Sequence, residues 1–139
     1  MKSIENKNII FLRLFKDENV NEQIKNACKI HKVKTAVIIS GIGQLRNVQL
    51  GYFKEKGNYL QEKFDKPLEI LSLNGNICHE KDEYSIHMHI VLSDENKNAL
   101  GGHFIDGTIS VTGEIVLLKT EIEVKRKIDE ETGLKMLYF

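Results

Sequence analysis

The sequence predicts an α+β fold in which a strongly twisted, mostly antiparallel and barrel-like β-sheet packs against one main helix. Roughly seven to nine short segments rich in β-branched and aromatic residues are separated by polar turns. Only the segment 20–31 places apolar residues at helical spacing. The length of 139 residues suits one core that needs no disulfide or metal staple, so we expect a single domain over residues 1–139.

The first strand and the helix are predicted near the start of the chain. Residues 8–14 contain the apolar run Ile-Ile-Phe-Leu, which is typical of a strand. Asn19 can cap the helix that follows, with Glu22 as its capping-box partner. The apolar stripe of this helix consists of Val20, Ile24, Ala27, Cys28 and His31.

Strands alternate with turns through the rest of the chain. Residues 41–43 (Gly-Ile-Gly) predict a turn that brings the backbone close to another segment, and residues 80–83 (Glu-Lys-Asp-Glu) predict an acidic loop. The predicted strands cover residues 34–40, 46–54, 59–64, 68–77, 84–93, 109–119, 121–127 and 134–139.

Three of the five histidines lie close together in the sequence. His87 and His89 are two residues apart, so an extended chain points both side chains to the same face. The polar segment 93–98 predicts a β-hairpin, and a turn centred on Asn96 places His89 opposite His103. A bulge at the glycine pair 101–102 would instead turn His103 to the other face.

Three imidazoles on one face of two neighbouring strands suit a transition metal. Zinc takes histidine nitrogens at about 2.0–2.1 Å and leaves a fourth position open in many sites. The alternative is that the histidines are partly buried sheet residues with hydrogen-bonded nitrogens. We predict a transition-metal site formed by His87, His89 and His103, and imidazole sites of this kind accept several metals.

Cys78 is an alternative fourth ligand. If the acidic loop closes a hairpin centred between residues 82 and 83, residue 78 pairs with His87. A thiolate there would close the coordination sphere and make the site structural.

Composition and charge exclude several classes of function. Twenty basic and twenty acidic residues give zero formal net charge, which argues against a large phosphate-tracking surface. A basic cluster around Lys119 and residues 125–127 is interleaved with acidic residues and is interpreted as a solvated strand face.

The apolar runs are too short to span a membrane. Two cysteines without a CxxC motif or a secretory leader indicate a reducing, cytoplasmic setting.

Several motifs taken together resemble the plants-and-prokaryotes conserved (PPC) domain family. They are the segment 67–77 (PLEILSLNGNI), His-Met-His at 87–89, Gly-Gly-His at 101–103 and Gly-Glu-Ile at 113–115. The Gly-Ile-Gly segment and residues 48–52 (VQLGY) match an early block of the same family. The resemblance runs from about residue 8 to the C-terminus.

This resemblance implies a compact α+β domain that assembles as a homotrimer, with a zinc site at His87, His89 and His103. Plant members join the domain to an AT-hook and bind DNA, and stand-alone microbial members carry a DNA-binding label by analogy. This sequence contains no Arg-Gly-Arg-Pro hook, so it is similar to the microbial type. The family pattern also places Glu114 and Glu69 in strands near the histidine hairpin, as general-base candidates or as carboxylates that orient a ligand histidine.

Three functional classes follow. The first is a metal-binding homotrimer that binds a small anionic or polar ligand at a pocket between subunits. The second is a zinc-dependent hydrolase or lyase that uses Glu114 or Glu69 as its acid or base. The third is a DNA-binding or regulatory protein. We expect a binding protein rather than an enzyme, because no nucleophile or substrate-shaping motif accompanies the histidines.

Overall fold

A computed structural model describes residues 1–81 and 83–139, and this part of the chain contains one helix and nine strands. Asp82, in the predicted acidic loop, lies outside the described residues. The strands and helix are β1 (Lys2–Asn6), β2 (Ile9–Phe15), α1 (Val20–Ile30), β3 (Thr35–Glu55), β4 (Asn58–Phe64), β5 (Leu68–Glu80), β6 (Glu83–Ser93), β7 (Ala99–Thr120), β8 (Lys125–Ile128) and β9 (Lys135–Tyr138).

The predicted antiparallel, barrel-like sheet is confirmed. Seven strands lie in the order β1-β2-β7-β6-β5-β3-β4, and β3 pairs with β7 as well. The strands β7, β6, β5 and β3 therefore form a closed circuit of hydrogen-bonded neighbours, which is the defining property of a barrel. The remaining strands, β8 and β9, form a separate two-stranded hairpin.

The prediction of a turn at the Gly-Ile-Gly segment is wrong, because these residues lie inside the long strand β3. Register shifts on both sides of the segment bend β3 as it crosses β7, so the strand curves without ending. Gly43 has φ +133°, and a Cβ atom at this position would lie 2.1 Å from the carbonyl oxygen of Thr112. The glycine thus permits the expected close approach of two backbones.

The helix has the predicted cap and the predicted buried face. The side chain of Asn19 accepts a hydrogen bond from the backbone N–H of Glu22 at 3.0 Å. The side chains of Val20, Ile24, Ala27 and Cys28 are fully buried in the core. Burial of this stripe fixes α1 against β2, β6 and β7.

Alternation along the strands divides the sheet into an inner and an outer face. On β2, Ile10, Leu12 and Leu14 are buried in the core, whereas Phe11 between them is 58% exposed. The helix and the core cover the inner face, and the outer face remains open over β2, β7 and β3. No helix in the described ranges is both long and apolar enough to cross a bilayer.

Candidate metal centre

The hairpin of β6 and β7 has the register that the sequence predicts. His89 lies directly opposite His103, and the pairing continues without a shift to Ser93 opposite Ala99. The carboxylate of Asp94 fixes the connecting turn, because its Oδ1 accepts hydrogen bonds from the backbone N–H groups of Asn96 and Asn98, each at 2.9 Å. The turn therefore sets the alignment of the two histidine-bearing strands.

The two glycines before His103 lie within β7 and allow three strands to pack closely. A Cβ atom on Gly101 would lie 2.4 Å from the carbonyl oxygen of Ile90, and one on Gly102 would lie 3.0 Å from that of Gly51. They neither end the strand nor introduce a bulge at this point. His103 therefore stays on the same face as His89.

The structure brings the three predicted histidines together. One nitrogen from each ring of His87, His89 and His103 lies within 4.8 Å of the others, and the Nε2 atoms of His87 and His89 are 3.2 Å apart. Ring centroids are separated by 5.0 to 5.5 Å. Nitrogens that share a tetrahedral zinc at about 2.05 Å are roughly 3.3 Å apart, so this donor set fits one transition-metal ion after small side-chain adjustments.

The surroundings keep two of these imidazoles neutral. Burial lowers the pKa of His103 to about 4, and repulsion from His87 and His89 in their protonated forms and from Arg126 acts in the same direction. Burial also lowers the pKa of His87, again helped by Arg126 and His89. A neutral imidazole has the free lone pair that metal ligation requires, so these rings need no deprotonation near pH 7.

Cys78, which the sequence offered as an alternative fourth ligand, is not part of the histidine cluster. Cys78 lies opposite Ser85, and His87 lies opposite Asn76, so the predicted pairing of residues 78 and 87 is wrong. The pairing of β5 with β6 continues to Glu80 opposite Glu83. Among the described residues, the group of metal-ligating side chains comprises the three histidines alone.

The two predicted carboxylates are engaged elsewhere on the sheet. Glu69 lies opposite Ser93 and accepts a hydrogen bond from the side chain of Gln44 at 2.8 Å. Glu114 is eleven residues beyond His103 along β7, where it lies opposite Arg13 and Ile42. Neither glutamate lines the histidine cleft.

A cleft of about 790 Å³ opens over the histidines. Tyr59 of β4 lines it, and its ring contacts that of His103 edge-on at a centroid separation of 6.1 Å. Burial raises the pKa of the Tyr59 phenol, so the group is a hydrogen-bond donor at neutral pH. Tyr59 was not predicted from the sequence, where only the missing side chain at Gly51, over which the ring lies, is consistent with its position.

Residues 1–121 match the Plants and Prokaryotes Conserved (PCC) domain. The chain belongs to this family. The matched segment contains all three histidines of the cluster.

Solved structures and a curated relative extend the comparison. A candidate DNA-binding protein of Bacteroides thetaiotaomicron has the same fold, with a TM-score of 0.92 at 23% identity, covering 99% of this chain and 96% of that one. A metal-containing protein of Archaeoglobus fulgidus matches at 28% identity and a TM-score of 0.84 over the full length of both chains. The bifunctional protein GlmU of a Synechococcus strain is 28% identical over 91% of this chain, which spans only 19% of that protein.

Arg126 of this PCC protein lies beyond the matched segment, and the sequence predicted that it belongs to a solvated strand face. Strand β8 instead places it in the histidine cleft. Its guanidinium donates hydrogen bonds to the Asn76 side chain and, at 3.3 Å, to the carbonyl oxygen of Lys135. Its backbone N–H donates to Glu80 at 2.6 Å. No local pattern in the sequence indicates this position, because the docking of β8 is a long-range contact.

Proposed function

We propose that this PCC protein binds a zinc ion through His87, His89 and His103 and uses the surrounding cleft to bind a small ligand. The convergence of three imidazole nitrogens within 4.8 Å of one another supports the proposal most directly. The metal-containing relative of A. fulgidus, similar over its full length, supports it independently. A zinc ion would supply a Lewis-acidic centre, while the chain's own residues orient the ligand around it.

Zinc titration of chelator-treated protein tests the proposal. We expect one zinc ion per chain in isothermal titration calorimetry. Replacing a direct ligand, as in His103→Ala, should weaken binding by more than about a hundredfold, beyond the effect typical of a supporting residue. His79→Ala is the matched control, because His79 is an exposed histidine of β5 outside the cluster. Equal zinc affinity in both variants would contradict the assignment.

We also propose that the chain, folded as one domain, forms a homotrimer through the outer face of its sheet. A cross-strand row runs along this face from Ile9 through Leu118, Val37 and Asn76 to His87. The exposed apolar side chains on or beside this row are Ile4, Phe11, Val37, Ile39 and Ile42. Contiguous apolar surface of this kind usually marks an interface, and here it leads directly to the histidine cluster.

DNA binding, with a regulatory role, is the second candidate function. It is supported by the candidate DNA-binding protein of the same fold. The balanced charge of the chain limits how many phosphates it can neutralise, so we expect weak binding with a shallow salt dependence. Fluorescence anisotropy with a labelled duplex over a salt series measures the affinity for DNA and its dependence on salt. Absence of binding at about 50 mM salt would exclude this function.

A binding role is favoured over the zinc-dependent hydrolase or lyase. General-base catalysis needs a proton acceptor within about 2.6–3.2 Å of the substrate or one water away. Among the described residues that line the cleft there is no carboxylate, and the two predicted candidates, Glu69 and Glu114, lie elsewhere. Small esters, amides and phosphates tested with the zinc-loaded protein should therefore show no turnover.

We further propose that the protein works in the cytoplasm. Both cysteines, Cys28 and Cys78, are free and buried. Free thiols are retained most readily in a reducing compartment. Fractionation of cells that express the native protein tests this proposal.

A further inference from the structure

We propose that the histidine cleft binds a small organic acid whose oxyanion group lies between Arg126 and the three imidazoles. The inference rests on the proposed metal-binding function and adds the class of ligand and the residue that anchors it. The charge of the cleft, the hydrogen bonding of Arg126 and the apolar part of the cleft each support it.

The charged side chains that line the cleft are all cationic. Arg126 and Lys135 reach it, and within the described part of the chain no acidic residue does. The histidine cluster adds no negative charge, and a bound metal ion would add two positive charges. Glu80 accepts a hydrogen bond from the backbone N–H of Arg126 but does not line the cleft. An anion bound in the cleft would therefore complement its positive charge.

Arg126 is held in place and still has donor capacity. Asn76 and the carbonyl oxygen of Lys135 each accept one hydrogen bond from its terminal nitrogens. Its Nε atom is buried and has no hydrogen-bond partner in the described structure. Guanidinium donors form a planar fork that matches the two oxygens of a carboxylate. Because Nε is fully buried, a ligand oxyanion would instead accept hydrogen bonds from the second N–H of each terminal nitrogen.

The sheet register places Arg126 beside the histidines. Its partner Asn76 lies directly opposite His87 on the neighbouring strand, on the outer face of the sheet. The oxyanion can therefore contact the guanidinium on one side and the imidazole cluster on the other.

The cleft also has an apolar part that an inorganic ion would leave unused. Phe53, Ile86 and Leu134 line it together with the charged and polar groups. Its volume of about 790 Å³ is in the range of small-molecule sites and far exceeds one phosphate ion. These features favour an organic acid with a compact hydrophobic body.

Anion titration of the cobalt(II)-loaded protein tests the inference, because the visible absorption of cobalt(II) reports changes around the ion. The probes are benzoate, inorganic phosphate and uncharged benzamide. The variants are Arg126→Gln, Arg126→Lys and the matched control Lys127→Gln, which removes one positive charge from an exposed position of the same strand. Circular dichroism and the cobalt(II) content establish that each variant is folded and loaded.

We expect benzoate to bind wild-type protein more tightly than phosphate and to bind Arg126→Gln at least about tenfold more weakly. Arg126→Lys keeps the positive charge but loses the planar guanidinium donors, so it should weaken benzoate binding less than Arg126→Gln does. Lys127→Gln should match wild type. Cobalt(II) affinity without anion should be unchanged or higher in Arg126→Gln, because a nearby positive charge has been removed.

The two proposals fail in different ways. A wild-type protein that binds no cobalt(II) overturns the metal-binding function and this inference with it. Metal binding with equal benzoate affinity in wild type and Arg126→Gln overturns the inference alone. Equal binding of benzamide, or tighter binding of phosphate than of benzoate, overturns the assignment to an organic acid.

Discussion

Single residues decide whether the side chains around the cleft can occupy their positions. Gly51 is buried on β3 opposite His103, and the phenol of Tyr59 lies across it. A Cβ atom on Gly51 would be 2.3 Å from the Tyr59 Oη atom. The absence of a side chain at residue 51 therefore allows an aromatic ring to lie beside a histidine of the candidate site.

Gly51→Ala should lower the free energy of unfolding by about 1 kcal/mol, because the new methyl group would clash with the ring of Tyr59. This value is at the low end of the cost of overpacking, since the ring is partly exposed and can move aside. Urea denaturation measures the change. In a Tyr59→Ala background the same substitution should cost much less, since the clashing group is absent. An equal cost in both backgrounds would show that the strain arises elsewhere.

Both cysteine side chains are buried and carry free thiols. Burial in the core raises the pKa of the Cys28 thiol to about 12, and burial also raises that of Cys78. Only a thiolate attacks a disulfide reagent, so both cysteines should react very slowly in native protein at about pH 8. Ellman's reagent should detect two thiols after denaturation and almost none before it. Rapid modification of native protein would contradict the burial of both residues.

At the scale of elements, the hairpin of β6 and β7 controls the geometry of the site. Its turn depends on Asp94, whose carboxylate accepts hydrogen bonds from Asn96 and Asn98. The side-chain hydrogen bond from Asn98, followed by the backbone N–H groups of both asparagines, lowers the pKa of Asp94 below its ordinary value of 3.8.

This depressed pKa predicts a definite pH dependence. The ionised carboxylate stabilises the folded state fully above the unfolded pKa, and the stabilisation disappears as the pH falls through the lower folded pKa. Asp94→Asn should therefore be less stable than wild type at neutral pH, and the difference should narrow below about pH 4. Urea denaturation over a pH series measures it. Glu95→Gln, in the same turn, is the charge-matched control, because Glu95 contributes only its main-chain carbonyl to Lys97.

Local patterns explain which elements could be predicted from the sequence. The cap of α1 and the β6–β7 hairpin were predicted, because both depend on residues within a few positions of one another. The fusion of predicted strands into β3 and β7 was not, because long-range pairing and bulges keep these strands continuous. β1 was missed, since its sequence Lys-Ser-Ile-Glu-Asn contains one apolar residue and pairs only at the sheet edge.

The candidate site likewise has a part that local sequence patterns predict and a part that depends on long-range contacts. Strand alternation and turn position were sufficient to bring the histidines together. The predicted strand 121–127 was shorter in the structure, where β8 covers Lys125–Ile128. Its packing against β5 brings Arg126 to the cleft, and this contact between distant segments leaves no periodic signal in the sequence.

At the scale of the whole molecule, the outer face of the sheet joins the proposed subunit interface to the histidine cluster. The row from Ile9 to His87 crosses five strands, and the exposed apolar side chains of Phe11, Val37 and Ile39 lie on or beside it. Association through this face would bury exposed Phe11 and Val37 and would bring a second subunit close to the histidine cleft. Assembly and ligand binding would then influence each other through one continuous surface.

Phe11→Asp tests this arrangement, because it places a charge at the centre of the apolar face, between Ile4 and Val116. We expect light scattering to give about three times the 16.0 kDa chain mass for wild type and the mass of one chain for the variant. Ile30→Asp is the control, because Ile30 is 63% exposed at the end of the helix, away from that face, and should leave the mass unchanged. Since burial of an unpaired carboxylate costs several kcal/mol, a Phe11→Asp protein that keeps the trimer mass would locate the interface elsewhere. A wild-type mass near 16.0 kDa would exclude self-association altogether.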